Sequence, residues 1–318
     1  MILQGSPEYS IPKEGMQKAI ITGSTGLLGM ATARHLSDAG VDVLCIGRRS
    51  LTPSEISDNF GDNTTYIPLP MELISSLEKE IDKIEWDANL NCIFYNFAWG
   101  GIKSLTDGTF EDQLKNAVHS ANAVKTAKEI GCSKFVNVGT LEETYVERHL
   151  QNQNLPYNIN QSNYALSKLA SRNLCKMTAY LEKLDYVHTR LSVPLISDLS
   201  KGTYVASTLR KIFCRVPYDK PTNKQLFDIV LTEDVAKAFY LIGHHGKNKA
   251  DYFIGTSKPN TLTGYFQNFE QYIKGEIETP LSSDASSEDI FDSSELKLDT
   301  GFAPEQNILE VIKRIGKK

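Results

Sequence analysis

The chain lacks any run of about 18 apolar residues, and its opening residues do not follow the charged-then-apolar order of a secretory leader. Neither a membrane-spanning helix nor export is therefore expected. Basic excess is missing too: 34 Lys and Arg stand against 39 Asp and Glu, a net charge of -5 with no Lys/Arg stripe, which argues against a nucleic-acid partner. Cysteines are few. Cys45, Cys92, Cys132, Cys175 and Cys214 form no CxxC and no Cys/His cluster, and His244-His245 has no third ligand within reach, so neither a disulfide framework nor a metal is expected. Free thiols in apolar runs fit a reducing, cytoplasmic setting. There is no internal repeat. At 318 residues the chain exceeds the usual single-core size of roughly 250 to 300, so a main domain with an added lobe is expected.

Residues Met1 to Gly15, rich in Pro, Gly and Ser, read as a loose extension. From Lys18 onward, strand and helix patterns alternate. The predicted strands are Lys18 to Thr22, Val41 to Ile46, Cys92 to Phe97, Lys134 to Val138 and Tyr186 to Leu191. Between them lie predicted helices at Gly26 to Ala39, near Ile74 to Ile84, around Gln113 to Ile130 and from Tyr164 to Leu181. Such alternation predicts βαβ units, hence a doubly wound parallel sheet of the Rossmann type. Beyond Pro194 the pattern breaks into shorter elements with Pro217, Pro221, Pro259 and Pro280 between them. The division expected is an extension over 1–17, a dinucleotide-binding domain over 18–194 plus about 227–245, and a smaller mixed substrate lobe over 195–226 and 246–318. The Ser- and acid-rich run from Ser282 to Glu295 reads as a solvated loop.

Between the first strand and first helix stands Thr22-Gly23-Ser24-Thr25-Gly26-Leu27-Leu28-Gly29. Gly23 permits the tight turn, Gly26 lets backbone approach a pyrophosphate, and Gly29 lets helix and strand pack closely, while the helix start offers free N–H groups. At the end of the second strand, where an NAD enzyme usually carries Asp or Glu, this chain has Gly47 followed by Arg48 and Arg49. A guanidinium binds a 2'-phosphate that a carboxylate would repel, so NADP is preferred, with NAD the alternative. The competing reading of the two arginines is exposed loop charge.

Tyr164 and Lys168 lie four residues apart, one helical turn from each other on one face. A free phenol titrates near 10, so a fixed cation beside it is expected to make it a useful acid or base. Thr140, after Gly139 at the end of the fifth predicted strand, offers a hydroxyl at the end where doubly wound sheets carry their chemistry. His188 reads as a satisfied core residue. Glu142 and Glu143 read either as a base or sugar ligand or as a solvated loop, and Trp99-Gly100-Gly101 either as a stacking platform or as packing.

These residues resemble the extended short-chain dehydrogenase/reductase family of nucleotide-sugar epimerases, dehydratases and ketoreductases: TGxxGxxG matches Thr22 to Gly29, YxxxK matches Tyr164 and Lys168, and the catalytic Ser/Thr position matches Thr140. Asn96-Phe97-Ala98-Trp99 looks like the family's segment after its fourth strand, Asn116 like its helix asparagine, and Asp299 to Pro304 like its L-G-W-x-P ending. The resemblance implies catalysis by Tyr164, Lys168 and Thr140. It places Phe97, Ala98, Asn116 and Val138 beside the cofactor, and Trp99, Gly100, Glu142, Asn163 and Ser192 beside a nucleotide sugar, in a homodimer. Departures narrow the chemistry. The dehydratases follow their catalytic Thr with Asp and Glu, whereas Thr140 is followed by Leu141 and Glu142, so dehydration is not expected. Arg190-Leu191-Ser192-Val193-Pro194 replaces the family's R-x-x-N-x-Y-G-P, and Phe227 stands where an Arg is usual, leaving Arg210, Lys211 or Lys224 as alternatives for the substrate diphosphate. The activities open are 4-ketoreductase, 4-epimerase and non-catalytic NADP-binding regulator, of which the arginines favour the reductase.

Overall fold

In the computed structural model the residues described are 15–88, 91–151, 162–199, 203–222, 224–276 and 289–304, so the expected extension over 1–17 lies almost wholly outside them. In chain order the strands are β1 Lys18–Thr22, β2 Asp42–Gly47, β3 Thr64–Pro68, β4 Cys92–Asn96, β5 Lys134–Val138, β6 Asp185–Leu191, β7 Val193–Leu195, β8 Leu226–Phe227, β9 Ile229–Leu231, β10 Asp251–Ile254 and β11 Asn260–Thr261. The helices are α1 Leu27–Asp38, α2 Pro53–Phe60, α3 Leu77–Lys83, α4 Phe110–Ile130, α5 Glu142–Leu150, α6 Ser162–Glu182, α7 Tyr204–Phe213, α8 Thr232–His245, α9 Leu262–Lys274 and α10 Ser294–Thr300.

Seven strands form one sheet in the order β3-β2-β1-β4-β5-β6-β10, and every pairing within it is parallel. Apart from the edge strand β3, its strands are largely buried on both faces. Alternate residues divide between two cores, Ala19, Ile21, Val43, Cys45 and Tyr95 packing on the side of α1, α8 and α10, and Ile20, Leu44, Ile46 and Phe94 on that of α3, α4 and α6. That division is what the period of two along a strand produces when helices cover both faces. Chain order reverses direction at β1, whose neighbours are β2 and β4, and the strands' carboxyl ends there leave the crevice that doubly wound sheets use. A separate apolar cluster joins β7, β9, α7 and α9 through Leu195, Leu209, Ile229, Phe266 and Phe269.

The expected parallel sheet is present, with differences in its parts. β10 falls in the segment assigned by sequence to the substrate lobe, yet it is the sheet's edge strand beside β6. Ile74 to Ile84 is a 3-10 turn at Met71–Ser76 followed by α3, and α4 begins at Phe110, where Thr109 and Asp112 form a capping box. α2, β3 and α5 were not expected. At the acidic run, residues 282–288 lie outside the described residues, and the remainder carries buried Ile290 and Phe291 instead of a wholly solvated loop. Among the described residues no helix is long and apolar enough to cross a membrane, and no metal-binding cluster occurs.

Candidate active site

A cleft of about 660 Å³ opens at the carboxyl ends of the strands. Its first wall is the β1–α1 turn. Gly23 there has φ +67°, and a Cβ on it would stand 2.7 Å from the Ala98 nitrogen; one on Gly29 would stand 2.4 Å from the Gly23 carbonyl oxygen. Gly26 is the N-cap of α1 without a side-chain cap, and the first turn holds no acid, so helix-start N–H groups and the positive dipole end are left for an anion. Thr25, Gly26, Leu27 and Leu28 line the cleft with Gly23 and Gly29. Ser24 does not; it is buried and its hydroxyl donates to the Ile46 carbonyl at 3.0 Å. This backbone cradle, which any side chain would fill, fits a dinucleotide diphosphate.

At the adenosine end Gly47 and Arg48 line the cleft. A Cβ at Gly47 would come within 2.5 Å of the Tyr66 hydroxyl, so the phenol occupies the space an Asp or Glu side chain would need. Arg49 lies outside the lining. Its carbonyl accepts the Tyr66 hydroxyl at 2.6 Å, and its charge acts on Glu55 at the start of α2. Phe97, Ala98, Trp99, Gly100, Asn116 and Val138 all line the cleft. Asn116 clamps Gly100 through both backbone groups, accepting from its nitrogen at 3.0 Å and donating to its oxygen at 2.8 Å.

Thr140, just beyond β5, and Tyr164 and Lys168, in the first turns of α6, meet at the same cleft. Burial and the charge of Glu143 push the Tyr164 phenol well above its ordinary value, against a lowering effect of the Thr140 hydroxyl. Lys168 donates to the Val138 carbonyl at 2.8 Å and lies 4.0 Å from the centre of the Trp99 ring, while burial lowers it to about 8 against the opposing charge of Glu143. In this arrangement the ammonium faces Val138 and the indole, 6.0 Å from the Tyr164 ring centre. Trp99 serves packing and cleft at once: it meets Tyr164 edge-on, and its Nε1 donates to Gln113 at 2.7 Å.

Of the remaining expected substrate residues, Ser192 lines the cleft; Glu142 and Asn163 do not. Glu142 begins α5, where burial raises its carboxyl and a bond with Gln225 opposes that rise, and the Asn163 amide donates to the Gly108 carbonyl at 3.5 Å. Arg190 is committed to Asp251, at 2.6 Å, and to Thr144. None of Arg210, Lys211 and Lys224 lines the cleft. Sequence reasoning missed Leu69, Met71 and Glu72, which follow β3, and Lys115 and His119 on α4. The helix-face spacing of Asp112, Lys115, Asn116 and His119 was a signal for the latter pair.

Comparison with known proteins agrees with this geometry. The fold is shared with UDP-glucose 4-epimerase from Thermotoga maritima, solved with UDP-glucose, at 18% identity and a TM-score of 0.71 over 94% of this chain and 97% of that one. UDP-N-acetylglucosamine 4-epimerase from Bacillus cereus is similar at 16% identity and a TM-score of 0.69, covering 94% of this chain and 95% of its own. The Bordetella bronchiseptica enzyme WbmG, in complex with NAD, matches at 18% identity and a TM-score of 0.68 over 96% of this chain and 97% of that chain. Residues 19–255 match the NAD dependent epimerase/dehydratase family, from the first residues of β1 past the end of β10. With the glycine turn, the sheet order and the Tyr164–Lys168 pair all inside that span, the chain belongs to the NAD dependent epimerase/dehydratase family.

Proposed function

We propose that the protein is an NADP-dependent oxidoreductase acting on a nucleotide-activated sugar, reducing the C4 keto group of a 4-keto-6-deoxy sugar nucleotide. The observation that carries this reading is the convergence of Thr140, Tyr164 and Lys168 on the cleft that the glycine turn opens. Gly47, with Tyr66 filling the place of an acidic side chain and Arg48 beside it, supports NADP over NAD.

When bound, the nicotinamide supplies the hydride. Tyr164 gives its phenolic proton to the C4 oxygen as charge develops there. Thr140, on the same cleft, polarises the same oxygen. Lys168 holds a positive charge at the buried end of the cleft and offers the donors for the cofactor's ribose hydroxyls. Dehydration is not part of the reading, since Leu141 is buried and Glu142 lies outside the cleft lining. An exposed apolar face on α6, formed by Leu174, Met177, Tyr180 and Leu181, supports a homodimer.

A second reading, 4-epimerase with retained cofactor, is favoured by the 4-epimerases among the similar structures. One experiment separates the readings: purified protein is incubated with NADPH and 4-keto-6-deoxy sugars on several nucleotide carriers, and in parallel with the corresponding 4-hydroxy sugars. Stoichiometric NADPH loss supports the reductase. Interchange of C4 epimers without net NADPH loss supports the epimerase. Cofactor binding with neither reaction supports a non-catalytic regulator.

A further inference from the structure

Behind the reacting groups lies a fully buried acid that lines no part of the cleft. Glu143, the second residue of α5, accepts the Thr140 backbone N–H on Oε1 at 2.8 Å, and its Oε2 is 2.9 Å from Nε2 of His188 on β6. Both side chains are 2% exposed or less. Gly139 makes the room: a Cβ there would stand 2.3 Å from Glu143 Oε1 and 2.4 Å from His188 Nε2. On its other side His188 Nδ1 is 3.2 Å from the Tyr186 hydroxyl. The strand end, the glycine and the two polar side chains are thus built around one another.

Resting on the function proposed above, we propose that Glu143 and His188 are a positioning pair that fixes Thr140 at the end of β5 and places a buried carboxylate behind the pocket that holds Lys168. Several groups share this pocket. Lys168 is faced by the Val138 carbonyl, the Trp99 ring, Tyr164 and Cys175; the field of Glu143 reaches Lys168, Tyr164, Arg172, Cys175 and Tyr186. Burial lowers Lys168 to about 8 and the Glu143 charge opposes that lowering. A step that needs the Lys168 ammonium is therefore lost as pH rises through about 8. Removing the charge of Glu143 moves the loss to lower pH.

The test uses E143Q, which keeps the shape and an acceptor for Thr140 but not the charge, and H188Q, which leaves the charge. Lys168 is titrated by carbon-13 NMR of lysine-labelled protein, with Lys168→Met for assignment, and kcat and KM are followed against pH. E143Q is expected to lower the Lys168 midpoint by on the order of one pH unit and to carry the high-pH limb of kcat with it. H188Q is expected to lower kcat with little change in KM while leaving the midpoint in place. A midpoint and limb in E143Q equal to the wild type's would overturn the proposal. If the wild type turns over no nucleotide sugar while the midpoint still falls in E143Q, the electrostatic pairing stands and the function proposed above fails.

Discussion

Arg48→Ser should weaken NADPH binding about tenfold and leave NADH binding nearly unchanged. A hydrogen bond to a charged group contributes about 1.5–3 kcal/mol, or roughly 10- to 150-fold in affinity. Arg48 is exposed at the rim of the cleft, so solvent and salt place its contribution at the lower end. Arg49→Ser is expected to change either affinity by less than about threefold, because Arg49 lies off the cleft with its charge acting on Glu55 and Tyr66, an exposed contact worth little. Fluorescence titration of both cofactors against wild type and the two single variants, at two salt concentrations, measures this directly. NADH binding as tight as NADPH in the wild type, or a larger loss from Arg49→Ser than from Arg48→Ser, would refute the reasoning about Gly47 and its neighbours.

Gly29→Ala places a methyl group 2.4 Å from the Gly23 oxygen, so the turn must move by about 1 Å to regain van der Waals distance. Calorimetric titration should show at least about a tenfold loss of cofactor affinity, since a shift of that size degrades a preorganised site. Gly26→Ala, with 3.2 Å to the same oxygen, should lose less. Away from the site, the Lys134 ammonium donates to the carbonyls of Ile242, Gly243 and Gly246 at 3.2, 3.0 and 2.8 Å, closing the end of α8. Lys134→Met strands those acceptors and should cost about 1–3 kcal/mol in denaturant unfolding while leaving NADPH affinity intact.

What could be read from the chain follows from how local each signal is. The glycine turn and the Tyr164–Lys168 spacing are single-segment patterns, and the structure brings both to one cleft. Continuous apolar strands such as Cys92–Asn96 announced a sheet covered on both faces. Thr52-Pro53-Ser54-Glu55 carried a capping-box signature that would have located α2, whereas β3, with one buried residue in five, has no apolar run to mark it. The partnership of Glu143 with His188 joins residues 45 positions apart, and the blocking of position 47 by Tyr66 depends on strand register; neither is visible without the fold. The same limit explains Arg48 and Arg49, which are equal in sequence and are separated only by which way the loop turns after β2.

The central claim, that Tyr164 delivers the proton, is tested most directly by the turnover of Tyr164→Phe with NADPH and a 4-keto-6-deoxy sugar nucleotide, alongside its NADPH dissociation constant. The variant keeps the ring that packs edge-on to Trp99 and loses only the hydroxyl. Cofactor binding close to wild type with kcat lower by about 100- to 10,000-fold is the result predicted. Near-normal kcat in the variant would contradict the mechanism, because among the described residues no other phenol lines the cleft to give that proton.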